Sequence, residues 1–216
     1  MNAVLRNMIV SAVLLGLFAV IAAALLAWTH EATAPRIAEN QRQAVLRQLH
    51  ALVPPASHDN DLFTDVTHVR APRALGSDEP LPVYRARRGG RPVALVLTAI
   101  APDGYNGTIR LLVAVRHDGT LLGVRVVDHR ETPGLGDAID ERKSDWILGF
   151  AGKSLADPPP EQWRVKRDGG VFDQFTGATI TPRAVVAAVR RALEYFQHHR
   201  DELFAAPAVT EDSAHP

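Results

Sequence analysis

The chain has no cysteine in its 216 residues. That absence excludes disulfides, thiolate zinc sites, cysteine-ligated iron–sulfur clusters and cysteine nucleophiles in one step. It leaves the compartment open, because a reducing cytosol and a disulfide-free exported domain both permit it. An excess of charge of either sign is also missing: 24 Lys and Arg offset 24 Asp and Glu. A nucleic-acid binder needs a basic surplus to displace counterions, so that partner class is excluded. Several catalytic signatures are lacking too. No G-x-G-x-x-G follows a strand and no G-x-x-x-x-G-K-[ST] occurs, so nicotinamide and nucleoside-triphosphate sites have no phosphate cradle. There is no G-x-S-x-G elbow and no H-E-x-x-H pair. The length allows one domain, or two small ones, with a core large enough to fold unaided.

What is present begins with one long apolar run. Met8 to Trp28 is 21 residues without a charge, and Ser11 is its only polar side chain. About 20 apolar residues cross the bilayer hydrocarbon as a helix, and Trp28 stands where an amphipathic ring favours the headgroup zone. A cleaved signal peptide has a shorter apolar region, about 7–15 residues. Ala32-Thr33-Ala34 mimics a cleavage site, but Pro35 follows it directly. The run therefore predicts an uncleaved transmembrane anchor in the lipid bilayer. Its orientation stays open on charge alone, with Arg6 on one side and Arg36, Arg42 and Arg47 on the other.

The expected order is a short segment over 1–7, the anchor over 8–28, a helical neck over 29–55, one folded domain over 56–205 and a frayed tail over 206–216. In the neck, Ile37, Ala44, Val45, Leu49 and Leu52 recur at helical spacing between Pro35 and Pro54-Pro55. Residues 57–80 read as a loop with at most a short strand. Strands are predicted over Pro82–Arg87, Val93–Ile100, Ile109–Arg116 and Leu121–Asp128. Turns at Gly89-Gly90, Asp103–Gly107 and Asp118-Gly119 separate them. A helix around Asp140–Phe150 and a short strand over Trp163–Lys166 follow. Thr181 before Pro182 reads as a hydroxyl N-cap with proline at the first helical position. Val185, Ala188, Val189, Ala192, Leu193 and Phe196 mark the apolar face of that helix. The fold class is α+β, an antiparallel sheet with flanking helices.

Two segments carry candidate chemistry. Glu131-Thr132-Pro133-Gly134-Leu135-Gly136 follows a strand, and its proline and glycines build a tight turn that lets backbone approach a flat ligand. An ordinary strand-to-helix turn would also explain it. Asp173-Gln174-Phe175-Thr176-Gly177-Ala178-Thr179 precedes the last helix. With Thr181 assigned to capping, Thr179 is the spare hydroxyl beside a helix N-terminus, a favourable place for phosphate. Capping alone would account for this loop as well. His117 and His129 are placed to approach across a hairpin, but two histidines without a third ligand make no metal site, so no metal is expected. His198-His199 reads as a solvated pair.

The second segment resembles the D-x-x-[ST]-G-A-T flavinylation motif of FMN-binding domains that carry FMN as a phosphodiester on threonine. Those domains also contain E-T-P-G-L-G. Further matching stretches are Gly104–Gly107 (GYNG), His129–Ile139, Asp145–Lys153 and Phe172–Val186. Together with the single anchor, they make the chain similar to the G subunits of Rnf-type (Rsx) ion-translocating electron transport complexes. The C subunits of sodium-translocating NADH:quinone reductases share both motifs, but Asp137-Ala138-Ile139 and Thr181-Pro182-Arg183 fit the Rnf-type G subunits better.

The resemblance implies a non-autonomous redox subunit, anchored in a bacterial inner membrane with its main domain in the periplasm and working beside other subunits. It implies FMN on Thr179, placed there by a flavin transferase that uses FAD and Mg²⁺ and releases AMP. Asp173 and the small residues Thr176, Gly177 and Ala178 would present the hydroxyl. The Glu131–Gly136 loop would line the flavin ring, with Leu135 as an apolar surface and Glu131 and Thr132 as hydrogen-bonding groups. Tyr105 and Trp146 are weaker candidates, since lone aromatics more often belong to the core. The alternative is a domain that binds flavin noncovalently for sensing or assembly, or a binding module in which Thr179 merely caps.

Overall fold

A computed structural model describes residues 3–208. Helix α1 runs from Ala3 to Leu52 and continues through Pro35. The chain divides into two compact units, Met1–Val45 and Leu46–Pro216. In the first, the apolar run is exposed all round: Leu15, Phe18, Leu26 and Trp28 are each about two-thirds or more accessible. A helix apolar on every side, with nothing packed on it, is built for hydrocarbon. This one is long and apolar enough to cross a membrane. No break separates anchor from neck. Pro35 forfeits one backbone bond, and the alanine-rich turns before it carry the helix past.

The second unit is an antiparallel meander, β1 (Val66–Val69), β2 (Leu81–Arg88), β3 (Arg91–Gly104), β4 (Gly107–Arg116) and β5 (Leu121–Asp128), paired in sequence order. Side chains alternate between its faces. Leu95, Leu97 and Ala99 of β3 and Leu111, Val113 and Val115 of β4 form one core with α3 (Ile180–Ala205). Helix α3 contributes the apolar face expected of it, Val185, Ala188, Val189, Ala192, Leu193 and Phe196. The opposite face is covered as well. A Cβ on Gly123 would lie 3.0 Å from Leu52 Cδ2, and Gly123 pairs with Ala114. The last turns of α1, with buried Leu49 and Leu52, thus lie on the side away from α3. Double coverage explains why β3 reads as a continuous apolar run, where most antiparallel strands alternate.

One polar network joins the sheet to the end of α3. Arg85 is 1% exposed. Its Nε donates to Asp65 Oδ1 at 2.7 Å, and its Nη1 donates to the Leu203 and Ala206 carbonyls. Arg87 Nε donates to Asp65 Oδ2 at 2.8 Å, and its Nη2 donates to the Phe204 carbonyl at 2.5 Å. Two cations therefore satisfy the final carbonyls of α3, where the helix dipole favours positive charge.

Several local expectations are corrected. Residues 57–80 hold β1 and the short helix α2 (Pro72–Leu75). The segment Asp145–Phe150 is a 3₁₀ helix, not an α-helix, and a second 3₁₀ turn covers Gly136–Ile139. Buried Ile147 and Phe150 stand three apart, the spacing that a three-residue turn aligns. Trp163–Lys166 forms no strand. Only an isolated bridge, Val165 to Phe172, is present, flanked by 3₁₀ turns at Pro160–Gln162 and Lys166–Asp168. The β4–β5 register pairs Arg110 with Asp128 and Val115 with Leu121, so His117 and His129 leave opposite ends of that pair and never meet. Most of the tail assigned to 206–216 lies outside the described residues, as does the start of the 1–7 segment.

Candidate functional site

Two β-turns of the same construction face each other beside the start of α3. In the first, Leu135 N–H donates to the Thr132 carbonyl at 3.1 Å across Pro133-Gly134, with Gly134 at φ 77°. In the second, Ala178 N–H donates to the Phe175 carbonyl at 3.2 Å across Thr176-Gly177, with Gly177 at φ 82°. The third position of such turns needs a left-handed residue, which is why glycine stands there. A Cβ on Gly177 would lie 3.3 Å from Leu135 Cδ2, so the turns touch.

Between them opens a cleft of about 280 Å³, lined by Tyr105, Glu131, Thr132, Leu135, Gly136 and residues 177–181. Tyr105, Leu135 and Ile180 are exposed by 68%, 44% and 46%. Three large apolar side chains left in water around one cleft give a flat ligand surfaces to lie on.

The floor is polar and tightly held. Glu131 is buried, accepting the Asn106 N–H on Oε1 at 3.2 Å and the Thr181 hydroxyl on Oε2 at 2.5 Å. Thr181 does not cap α3, contrary to the expectation from sequence, because it already lies inside the first turn of the helix. The helix starts at Ile180 with Thr179 as N-cap, and Thr179 makes no side-chain capping bond. From within that first turn, the Thr181 hydroxyl donates a charge-assisted hydrogen bond to the buried carboxylate. The half-buried Thr179 hydroxyl is left spare on a different ground from the one expected.

Gly136 is pressed into this floor. A Cβ there would lie 2.5 Å from Glu131 Oε2 and 2.8 Å from Thr181 Oγ1. Gly136→Ala is expected to lower stability by about 1–3 kcal/mol, the usual cost of overpacking, as read by urea denaturation.

The remaining predicted residues fall around the cleft. Pro133 and Gly134 form the exposed tip of the first turn, and Thr176 the exposed shoulder of the second. Asp173 is also outside, paired with Lys166 Nζ at 2.6 Å. Its carbonyl accepts the Trp146 indole N–H at 2.8 Å. Trp146 packs edge-on to Phe150 and Phe175 at 5.3 and 5.2 Å, so it belongs to the partly buried framework, in keeping with its reading as a core aromatic. Tyr105 does not; it is the two-residue tip, with Asn106, of the β3–β4 hairpin. Ile180 and Thr181 line the cleft although their sequence context marks only a helix start. Their place in the cleft is set by the fold, which leaves Ile180 exposed beside the second turn. On the first turn of α3, Arg183 makes a paired contact to Asp168 at 2.6 and 2.7 Å, which holds the Asp168 carboxyl below the usual carboxylate range. Among the described residues no cluster of three His, Cys, Asp or Glu could hold a metal ion.

Comparison with known proteins bears on this geometry. Residues 104–194, which contain both turns, match the model of the FMN-binding domain, and residues 1–52 match that of the RnfG N-terminal region. The G subunit of an ion-translocating oxidoreductase complex from Shewanella loihica is 50% identical over 206 residues, 95% of this chain and 97% of that protein. The chain belongs to the RnfG family. An RnfG-family protein from Pseudomonas aeruginosa is 54% identical over 93% of this chain and 94% of its own length. One from Vibrio cholerae is 46% identical over 90% and 92%. In family terms, the N-terminal region coincides with α1, and the FMN-binding domain begins at the β3–β4 hairpin and ends inside α3.

Proposed function

We propose that this RnfG-family protein carries electrons on FMN joined by a phosphodiester to Thr179, within a membrane complex that couples electron transfer to ion translocation. The observation that supports it is the spare Thr179 hydroxyl at the head of a 26-residue helix, in the cleft between the two glycine turns. The residues fit the group. The N-terminus of α3 presents positive dipole character to a phosphate. Tyr105, Leu135 and Ile180 supply apolar surface for the ring, and Thr132 and the turn N–H groups supply donors at its edge. FMN, when bound, accepts and passes one or two electrons. The chain's part is to hold it at a fixed place, and a covalent tether keeps the site filled whatever the free flavin concentration.

Under this reading, other subunits of the complex are its partners, a flavin transferase matures it, and α1 holds it in the inner membrane with the second unit on the periplasmic side. A reporter fused after Ala206 is expected to be active only when exported. Protein co-expressed with the transferase, denatured and run on a gel, is expected to give a fluorescent band under ultraviolet light. A dark band alongside a transferase active on another substrate would favour the noncovalent alternative.

A further inference from the structure

The segment that carries Thr179 is fastened at both ends by side chains from elsewhere in the fold. At its start, the Trp146 indole holds the Asp173 carbonyl at 2.8 Å. At its end, two residues beyond Thr179, the Glu131 carboxylate holds the Thr181 hydroxyl at 2.5 Å. Thr181 is fully buried, and Glu131 is 5% exposed. The carboxylate is itself fixed by the Asn106 N–H, and it leaves no room for a side chain at Gly136. A buried carboxylate held by hydroxyl and amide donors, with no ion pair to Lys or Arg among the described residues, costs stability to desolvate. A plain N-cap threonine would have satisfied the helix more simply.

We infer that Glu131, acting through Thr181, is the positioning residue for flavin attachment. It fixes the first turn of α3 so that Thr179 Oγ meets the phosphorus of the incoming donor in line. The inference rests on attachment at Thr179 from FAD. In that step, Thr179 Oγ forms a bond to the FMN-side phosphorus while the pyrophosphate P–O bond breaks. AMP leaves with the bonding electron pair, and the hydroxyl proton passes to a base on the transferase. No electron is gained or lost. Misplacement of a nucleophile by about 1 Å can cost on the order of 100-fold in rate, so a loosened first turn shows in the attachment rate before it shows in the fold.

The test is the initial rate of flavin incorporation into the full-length apoprotein at saturating transferase and FAD, followed by in-gel fluorescence. Far-ultraviolet circular dichroism and thermal melting run in parallel. Thr181→Val, which keeps shape and loses the donor, is expected to slow incorporation at least about 10-fold while remaining folded. Thr181→Ser is expected to restore the wild-type rate. Glu131→Gln, which keeps the volume and removes the charge, is expected to slow it as well and decides the matter if Thr181→Val does not fold. A folded Thr181→Val or Glu131→Gln that incorporates flavin at the wild-type rate overturns the inference, as does a lowered melting temperature with no change in rate. Thr179→Ala separates this from the underlying reading. If that variant still fluoresces, attachment at Thr179 fails. If it is dark while Thr181→Val reacts normally, only the positioning role fails.

Discussion

Thr179→Ala is expected to abolish covalently retained flavin completely and to leave the apoprotein melting almost unchanged. The two halves of that result have separate causes. A phosphodiester needs a hydroxyl, and alanine has none, so no transferase concentration rescues the variant. Stability barely moves because Thr179, although it is the N-cap of α3, makes no side-chain capping bond. The about 0.5–2 kcal/mol normally lost on replacing a working cap does not apply. Peptide mapping of the wild type should place the added FMN mass on Thr179 and on neither Thr176 nor Thr181. Mass on Thr176 would move the attachment point to the exposed shoulder of the second turn.

Asp65→Ala is expected to have the largest effect on stability. It removes a carboxylate that both Arg85 and Arg87 contact, at 2.6 and 2.8 Å. Arg85 has 2% side-chain exposure, so its charge would stay buried without a counterion. Breaking such a pair from one side typically costs about 3–5 kcal/mol. For a domain of this size each kcal/mol lowers Tm by roughly 2–4 °C, so a fall of the order of 10 °C is expected by calorimetry. The double variant Asp65→Ala, Arg85→Met should recover part of the loss, since it removes the stranded charge along with its partner. If the single variant melts like wild type, the Arg85 charge is compensated by the Leu203 and Ala206 carbonyls alone.

The residues that define the loop around Thr179 are legible in the sequence because their chemistry is local. Gly134 and Gly177 stand at turn positions that demand positive φ, and Thr-Pro marks a helix start two residues from where it lies. Strands β2–β5 are legible for the same reason, from apolar runs bounded by Asp-Gly and Gly-Gly turns. Asp140–Phe150 misleads because buried residues spaced by three suit an α-turn and a 3₁₀ turn alike. Asp65 gives no signal because its segment is polar and short, and only its distant partners Arg85 and Arg87 give it a role. Tyr105 reads as a lone aromatic bound for the core, a fair prior that the exposed tip of a two-residue hairpin reverses.

The absence of cysteine leaves this chain no thiolate for a redox cluster, and that conclusion needs no structure. The apolar run to Trp28, the sheet and the motif around Thr179 are likewise set by composition, periodicity and turn chemistry over a few neighbouring residues. The sequence already picks Thr179 as the spare hydroxyl, but the reason it stays spare is decided only in three dimensions. Pro182 makes Thr181 read as the cap, yet the helix starts two residues earlier and both threonines stand at its head. The Glu131 carboxylate, 50 residues away along the chain, binds one of them. A buried anion takes the nearest donor the fold brings to it, and no local pattern records that meeting.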